Sequence, residues 1–139
     1  MMEHEFHGCK VALLIGERLL IIQRDDKPDI PFPNLWDFPG GGREGDESAE
    51  ETLFREVFEE VGLTLEPTHL IWKRRYTGQW AKDVFVWFYV AQLPAGSEDR
   101  IVFGNEGQGW RLVHLDEFLS MDGVVPSFQH RVRDWLSDR

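Results

Sequence analysis

The chain has 139 residues, of which 42% are hydrophobic and 13% aromatic. This is enough apolar material for a single domain over residues 1–139 with its own core, and it argues against a disordered chain. The single cysteine, Cys9, rules out an internal disulfide. With 25 acidic and 15 basic residues the net charge is −10, so the surface repels polyanions, and no nucleic acid polymer is expected as a partner.

Targeting signals are not apparent. The first five residues, Met1–Glu5, lack the basic and apolar regions of a signal peptide. No apolar run reaches the roughly 20 residues that a membrane-spanning helix needs. We therefore expect a cytoplasmic protein without a membrane segment, whose oligomeric state the sequence leaves open.

Two antiparallel strands are predicted near the start of the chain. The apolar runs Val11–Ile15 and Leu19–Ile22 flank Gly16, which suits the first place of a tight hairpin turn. The next segment, residues 25–33, holds three prolines and three aspartates. These residues disfavour both sheet and helix, so a loop is predicted there.

A short strand followed by a helix is predicted next. The strand, Leu35–Phe38, stops at Pro39–Gly42, where side-chain-free backbone continues. Apolar residues then recur every fourth position and predict a helix over Glu47–Val61. Asp46 is the predicted N-cap, and Gly62 is the predicted end of the helix.

The second half of the chain alternates apolar segments and short helices. The apolar segments and strands are predicted at His69–Trp72, Val84–Ala91 and Trp110–Leu115, and the helices at Asp116–Ser120 and from Phe128 onward, after Pro126 and Ser127. Leu93–Asp99 is a turn-rich connection. This order of elements predicts an α+β domain, built as an α/β/α sandwich.

Three glutamates share one face of the longest predicted helix. At about 100° per residue, Glu56, Glu59 and Glu60 fall within an arc of roughly 100°, opposite the apolar stripe. Carboxylates this close repel each other unless a cation lies between them, and hard divalent ions accept such oxygens. An exposed acidic face is the alternative. Arg55 lies one turn from Glu51 and Glu59, can pair with either, and so favours the ordered arrangement.

These residues also fall into a spaced motif. Gly41, five residues, Glu47, seven residues and then the run Arg55–Leu63 (REVFEEVGL) resemble the signature of the Nudix hydrolases at every fixed position. The motif spans about a sixth of the chain. The hairpin before it and the Glu106-Gly107 pair after it also look like their family counterparts. The resemblance implies a mixed β-sheet flanked by helices, with the catalytic loop–helix–loop at its edge.

The resemblance implies roles for individual residues. The implied metal ligands are Glu56, Glu59 and Glu60, the carbonyl of Gly41 and the distant Glu106. The implied cofactor is Mg²⁺, for which Mn²⁺ can substitute. Arg55 resembles the family arginine that positions a helix glutamate, and Glu47 looks structural. Glu56, Glu60 and Glu106 are alternative acceptors of the water proton, and an ordinary loop glutamate remains the other interpretation of Glu106.

The implied reaction is hydrolysis of a phosphoanhydride bond in a small nucleotide. Without the extra signatures of other subtypes, the compact chain most resembles the MutT-type hydrolases, which convert a nucleoside triphosphate to monophosphate and pyrophosphate. Both 8-oxo-dGTP and ordinary (d)NTPs stay open as substrates. A nucleotide-sugar or ADP-ribose hydrolase is the alternative within enzymes, and a non-catalytic nucleotide-binding module is the alternative from another class.

Substrate-binding residues are expected around the glycine run. Backbone at Gly40, Gly41 and Gly42 can approach a phosphate closely, and Arg24 is a candidate phosphate contact. Bases stack on aromatic faces. Phe38 is the preferred base-stacking residue because it adjoins the glycines, with a place in the core as its alternative. The other aromatic candidates are Trp36, Trp80, Phe85 and Trp87.

Overall fold

The computed structural model describes residues 6–77 and 84–139. Trp80, one of the base-stacking candidates, lies outside these residues. In chain order the elements are β1 (Phe6–Ile15), β2 (Arg18–Gln23), β3 (Trp36–Asp37), β4 (Gly40–Gly42), α1 (Ala49–Val61), β5 (Leu70–Thr77), β6 (Phe85–Leu93), β7 (Gly109–His114), α2 (Leu115–Ser120) and α3 (Phe128–Asp138). Short 3₁₀ turns lie at Pro67–His69 and Ser97–Arg100.

The strands form one mixed sheet between two layers of helix. Alternate side chains of β1 point to opposite faces: Val11 and Leu13 pack in a cluster with α1, and Ala12 and Leu14 pack in a second cluster with α2 and α3. β1 runs parallel to β6 and antiparallel to β2. The predicted α/β/α sandwich is therefore confirmed. Among the described residues, no helix is both long and apolar enough to cross a membrane.

The glycine run is a strand instead of the predicted break in the sheet. Gly8, Cys9 and Lys10 of β1 pair antiparallel with Gly42, Gly41 and Gly40 of β4. A side chain at Gly40, whose φ is +136°, would collide with the Cys9 carbonyl oxygen. Pairing this close needs bare backbone, which is the physical reason for glycine here. β4 therefore lies between β1 and α1.

Helix α1 begins two residues later than predicted. Its N-cap is Ser48, whose hydroxyl accepts from the backbone N–H of Glu51 at 3.1 Å, while the Glu51 side chain accepts from the Ser48 N–H at 2.8 Å. This reciprocal capping box satisfies two free N–H groups, so the predicted N-cap Asp46 is wrong. Gly62 ends the helix with φ +71°, as predicted.

Candidate active site

Arg55 is the centre of the polar face of α1. Its Nε and Nη2 donate to the two carboxylate oxygens of Glu47 at 2.7 and 3.0 Å. Nη2 also donates to the Gly42 carbonyl at 2.9 Å, and Nη1 donates to Glu59 at 3.2 Å. Of the two predicted pairings, the one with Glu59 is present, whereas Glu51 is used in the capping box. The guanidinium therefore ties β4, the following loop and the helix together.

Glu47 fastens the loop before α1 to the helix. Besides Arg55, it accepts from the Thr52 hydroxyl at 3.0 Å and from the backbone N–H of Glu44 at 2.9 Å. The Arg55 hydrogen bonds are the largest of the causes that lower the pKa of Glu47 to about 2. A carboxylate bound by this many donors is ionised and fixed. Its position agrees with the structural role that the resemblance implies.

Glu56 and Glu59 share Arg55 but differ in exposure. Nη1 of Arg55 donates to Glu56 at 3.1 Å, and the Glu56 side chain is 18% exposed against 56% for Glu59. Burial raises the pKa of Glu56, although Arg55 opposes it. A side chain at Gly41 would collide with the Glu56 carboxylate. The backbone of β4 thus packs directly against this carboxylate.

Glu60 is the more strongly perturbed of the helix glutamates. Its Oε1 accepts from the backbone N–H of Gly40 at 2.8 Å. Burial raises the pKa of Glu60 to about 7, against the opposing effects of Lys10 and of the Gly40 hydrogen bond. Glu56 also contributes to this rise through charge repulsion. Two helix carboxylates therefore face β4 in surroundings that disfavour negative charge.

The donor set suits a hard divalent cation. Carboxylate oxygens of Glu56 and Glu60, beside the bare backbone of Gly41, are the ligand type that Mg²⁺ and Mn²⁺ prefer. A cation beside the two carboxylates would offset the cost of burying their charge, which is the main cause of their raised pKa values. Across residues 6–77 and 84–139, no three His, Cys, Asp or Glu side chains form a ready-made metal cluster. Arg55 makes ion pairs with both Glu56 and Glu59.

Glu106 lies across a cavity from Glu60. The cavity has a volume of about 200 Å³, and we call it the acidic cavity after the carboxylates on its wall, Asp25, Asp37, Glu60 and Glu106. The backbone N–H of Gly107 donates to Asp25 at 3.3 Å, which holds the Glu106 loop against the loop after β2. The structure therefore brings together Glu60 and Glu106, which are 46 positions apart in the sequence.

Asp37 is a buried charge whose importance the sequence did not reveal. It is 6% exposed, and one carboxylate oxygen accepts from Arg24 at 2.8 Å and from Lys10 at 3.1 Å. Arg24 also donates to the Pro31 carbonyl at 2.9 Å. The candidate phosphate contact Arg24 is thus held by a protein carboxylate. The sequence did contain a signal for this ion pair. Asp37 lies in the short strand that pairs with β2, and Arg24 directly follows β2.

Phe38 does not stack on a substrate, and that prediction is wrong. Its ring is 1% exposed and lies 5.0 Å, centroid to centroid, from the rings of Phe118 and Phe128. The alternation of β3 turns this side chain toward α2 and α3, away from the glutamates. The core interpretation of Phe38 is therefore the right one.

A second cavity of about 210 Å³ lies between the sheet and α3. We call it the apolar cavity; its walls include Phe32, Val86, Val125 and Phe128. Arg24 and Asp37 line both cavities, so the two spaces meet at this ion pair. Gly41 and Gly42 also line the apolar cavity. A ligand in it would therefore lie beside the strand that contacts Glu56.

Comparisons with known proteins agree with this arrangement. A family model described as "NUDIX domain" matches residues 8–136. An RNA pyrophosphohydrolase of Shewanella sp. (strain W3-18-1) is 50% identical over 100 residues, which are 72% of this chain and 53% of that protein. The chain spans about half the length, or less, of the curated relatives it matches.

Two solved structures show the same fold. The crystal structure of a MutT protein from Methanosarcina mazei Go1 superposes with a TM-score of 0.76 at 21% identity, covering 99% of this chain and 98% of that one. A bifunctional NMN adenylyltransferase/ADP ribose pyrophosphatase from Francisella tularensis, complexed with AMP and a manganese ion, gives 0.73 at 17% identity, covering 99% and 42%.

Proposed function

The chain belongs to the Nudix family, and we propose that it is a Mg²⁺-dependent pyrophosphohydrolase of nucleoside triphosphates. The observation that carries this proposal is the pair Glu56 and Glu60, packed against β4 on a helix face that Arg55 orders. Two carboxylates with raised pKa values form a cation site. A cation is also what an acidic chain with a net charge of −10 needs to bind a polyphosphate.

Each residue of the site has a role in the proposed reaction. Glu56, Glu60 and the Gly41 carbonyl would hold the metal, with Glu59 and Glu106 as further ligands. The bound ion would polarise the phosphoryl oxygens and acidify water. Arg55 orients Glu56. A carboxylate accepts the proton of the attacking water, and the candidates are Glu56 on the helix face and Glu60 and Glu106 on the wall of the acidic cavity.

The overall reaction balances as a simple hydrolysis. Water oxygen forms a bond to a phosphorus of the triphosphate, and the bond from that phosphorus to the bridging oxygen breaks. The products are a nucleoside monophosphate and pyrophosphate. We propose that the nucleoside occupies the apolar cavity and the phosphates extend past Arg24 and Asp37 toward Glu60, since the two cavities meet there.

A triphosphate at the 5′ end of an RNA is a second candidate substrate. The curated relatives named RNA pyrophosphohydrolases support it, because an RNA 5′ end presents the same phosphoanhydride as a free triphosphate. The net charge of −10 opposes it. Both candidates use the metal site in the same way and differ in what lies beyond the first nucleotide.

A release assay tests the proposal. Phosphate and pyrophosphate release are measured with and without Mg²⁺ on ordinary and oxidised nucleoside triphosphates, ADP-ribose, nucleotide sugars, dinucleoside polyphosphates and a 5′-triphosphate RNA. We expect Mg²⁺-dependent pyrophosphate release from a free triphosphate. The Glu60→Gln variant should lower kcat by about 10³-fold or more, because it removes a metal ligand. Glu66→Gln, at an exposed position outside the site, is the control.

Other outcomes lead to other conclusions. Activity only on a diphosphate-linked sugar keeps the metal site and discards the triphosphate, and activity only on RNA selects the second candidate. Undiminished activity of Glu60→Gln contradicts the assigned role of Glu60. Nucleotide binding without product formation across the whole panel would support the non-catalytic module.

A further inference from the structure

Arg131 of α3 is a buried guanidinium with an unused hydrogen-bond donor. The residue is 4% exposed, and its Nε has no hydrogen-bond partner. Its Cζ lies over three aromatic rings, 4.6 Å from the centroid of Tyr76, 5.6 Å from Phe128 and 5.9 Å from Phe88. The aromatic rings stabilise the positive charge through cation–π contacts. They do not accept hydrogen bonds from N–H groups that lie in the plane of the guanidinium. At least one donor of Arg131, the Nε–H group, therefore lacks an acceptor among the described residues.

The neighbouring acid favours the positive charge of Arg131 only at a distance. Asp134, one turn further along α3, accepts from the Tyr76 hydroxyl at 2.6 Å and faces Arg74 at 3.5 Å and His130 at 3.6 Å. In the part of the chain that the structure describes, no carboxylate makes an ion pair with Arg131. Arg55, by contrast, makes ion pairs with four carboxylates, those of Glu44, Glu47, Glu56 and Glu59.

An unpaired buried charge destabilises a fold unless a ligand completes its contacts. Transfer of a guanidinium out of water is unfavourable, and an apolar residue of the same size commonly serves a protein at least as well. Arg131 lines the apolar cavity, beside Phe32 and Phe128. The cavity therefore combines apolar walls with three donor-only side chains, of which Lys10 and Arg24 are held by Asp37 and Arg131 is not. It suits a flat, largely apolar ligand that presents hydrogen-bond acceptors.

Among nucleobases, guanine fits this donor pattern. Guanine presents two adjacent acceptors, O6 and N7, and a guanidinium binds them with two parallel hydrogen bonds. Adenine places an amino donor beside N7, where it would meet another donor. Cytosine also has adjacent acceptors, O2 and N3. It is smaller than a purine and leaves more of the cavity empty.

We propose that Arg131 is the residue that selects the base, donating to O6 and N7 of a guanine in the apolar cavity. The inference rests on the proposed function for the nature of the ligand and adds its base. It also predicts which of the two substrates that the sequence left open, the oxidised or the ordinary nucleotide, binds more tightly. In 8-oxoguanine N7 carries a hydrogen, so a donor faces the guanidinium, and the unmodified base binds better.

Base selectivity tests the proposal. Values of kcat/KM are measured for GTP, 7-deaza-GTP, 8-oxo-GTP, CTP and ATP. We expect GTP to exceed ATP by about 10- to 100-fold and 7-deaza-GTP, which lacks the N7 acceptor, to lose about 10-fold. The Arg131→Met variant should remove both differences. Arg133→Met is the matched control, because Arg133 is exposed on the same helix and, among the described residues, donates to the Leu119 carbonyl alone, at 2.9 Å.

A melting temperature separates selection from a structural role. A guanidinium that only supports the fold predicts a lower melting temperature for Arg131→Met, whereas our proposal predicts one that is unchanged or higher. A guanine preference that survives Arg131→Met overturns the proposal. So does a wild type that prefers CTP, or that treats GTP and 7-deaza-GTP alike.

Equilibrium binding keeps this test independent of catalysis. Calorimetric titration of GMP and AMP without Mg²⁺ should show tighter binding of GMP to the wild type and no preference in Arg131→Met. If no triphosphate is hydrolysed but this preference appears, the proposed function fails and the inference about Arg131 holds. If triphosphates are hydrolysed and GMP shows no preference, the inference fails alone.

Discussion

The two cavities use arginine in opposite ways. Beside the acidic cavity, Arg55 makes ion pairs with Glu47, Glu56 and Glu59, so its charge is balanced by carboxylates of the protein itself. At the apolar cavity, Arg131 has aromatic contacts and no carboxylate in ion-pair contact across the described residues. The first arginine shapes the site that we propose binds a cation. The second has a donor, Nε, that we propose is used by a ligand.

The difference shows how one acidic chain can bind a polyanion in a divided site. In the proposed function the phosphates need a metal, because the acidic cavity is lined by four carboxylates and only two cations, Arg24 and Lys27, among the described residues. The base needs no metal, because a buried guanidinium and apolar walls suffice for it. Arg24, Asp37 and Lys10 stand at the junction of the two regions and partly cancel one another's charge.

After Glu60→Gln, the largest expected effect comes from adding one methyl group at Gly41. In Gly41→Ala the Cβ collides with the Glu56 carboxylate, so the metal-binding face must distort, and we expect kcat to fall by about 100-fold or more. In Gly42→Ala the added atom meets nothing within 4 Å. Steady-state kinetics should therefore show a much smaller loss for Gly42→Ala. Equal losses would contradict the close packing of β4 against Glu56.

The next effect is a pH dependence of the metal-free protein. Because the pKa of Glu60 rises from 4.5 to about 7 on folding, the folded state binds more protons between these values. Stability should therefore fall as pH rises from about 4.5 to 7, by up to about 3 kcal/mol for this group. Urea unfolding of wild type and Glu60→Gln isolates the contribution, since the variant lacks it.

Magnesium should reverse that loss in a pH-dependent way. Ionised Glu60 binds the cation and protonated Glu60 does not, so added Mg²⁺ stabilises the wild type more at pH 8 than at pH 5. Glu60→Gln should gain little at either pH. A stabilisation that is the same at both pH values would argue against Glu60 as a ligand.

Exchanging each arginine for methionine separates the two regions further. Arg55→Met removes the main hydrogen-bond donor of Glu47 and Glu56. We therefore expect a loss of about 2 kcal/mol in the free energy of unfolding and a drop in kcat. Arg131→Met removes a charge that makes no ion pair within the described residues and keeps a long apolar side chain against the rings of Tyr76 and Phe128, so we expect a change near zero. Equilibrium urea unfolding compares them. A larger loss for Arg131→Met would mean that the apolar cavity is held together by its guanidinium.

The sequence predicted the region of Arg55 far better than the region of Arg131. A helix face fixes the spacing of Glu56, Glu59 and Glu60, and spacing along one helix is readable from the sequence. The layered fold followed from the order of strands and helices, and Gly62 was recognised as the helix end. Ser48 was missed because Asp46, also a good N-cap residue, precedes it by two positions.

The apolar cavity depends on contacts between distant segments. Phe128 lies at the predicted start of its helix. Only the packed structure shows that its ring lies 5.0 Å from that of Phe38 and that Phe38 is part of the core. The isolation of Arg131 is equally invisible in the sequence, since Asp134 stands one turn away and is the expected ion-pair partner. Tyr76, 58 positions away, takes that carboxylate instead.

The smallest expected effect concerns Asp37, which lies where the two cavities meet. Asp37→Asn keeps an acceptor for Arg24 and Lys10 but weakens two charge-assisted hydrogen bonds, so the free energy of unfolding should fall by about 1 kcal/mol. Asp25→Asn, on the wall of the acidic cavity alone, is the comparison, with an expected change nearer zero.

The Asp37→Asn variant also releases Arg24 toward the substrate phosphates, so KM for a triphosphate should fall as stability falls. Kinetics and urea unfolding on the same preparations check both. If KM rises with the loss of stability, Asp37 supports the site by holding Arg24 in place, and the separation between a metal-dependent phosphate region and a metal-independent base region is weaker than the two arginines suggest.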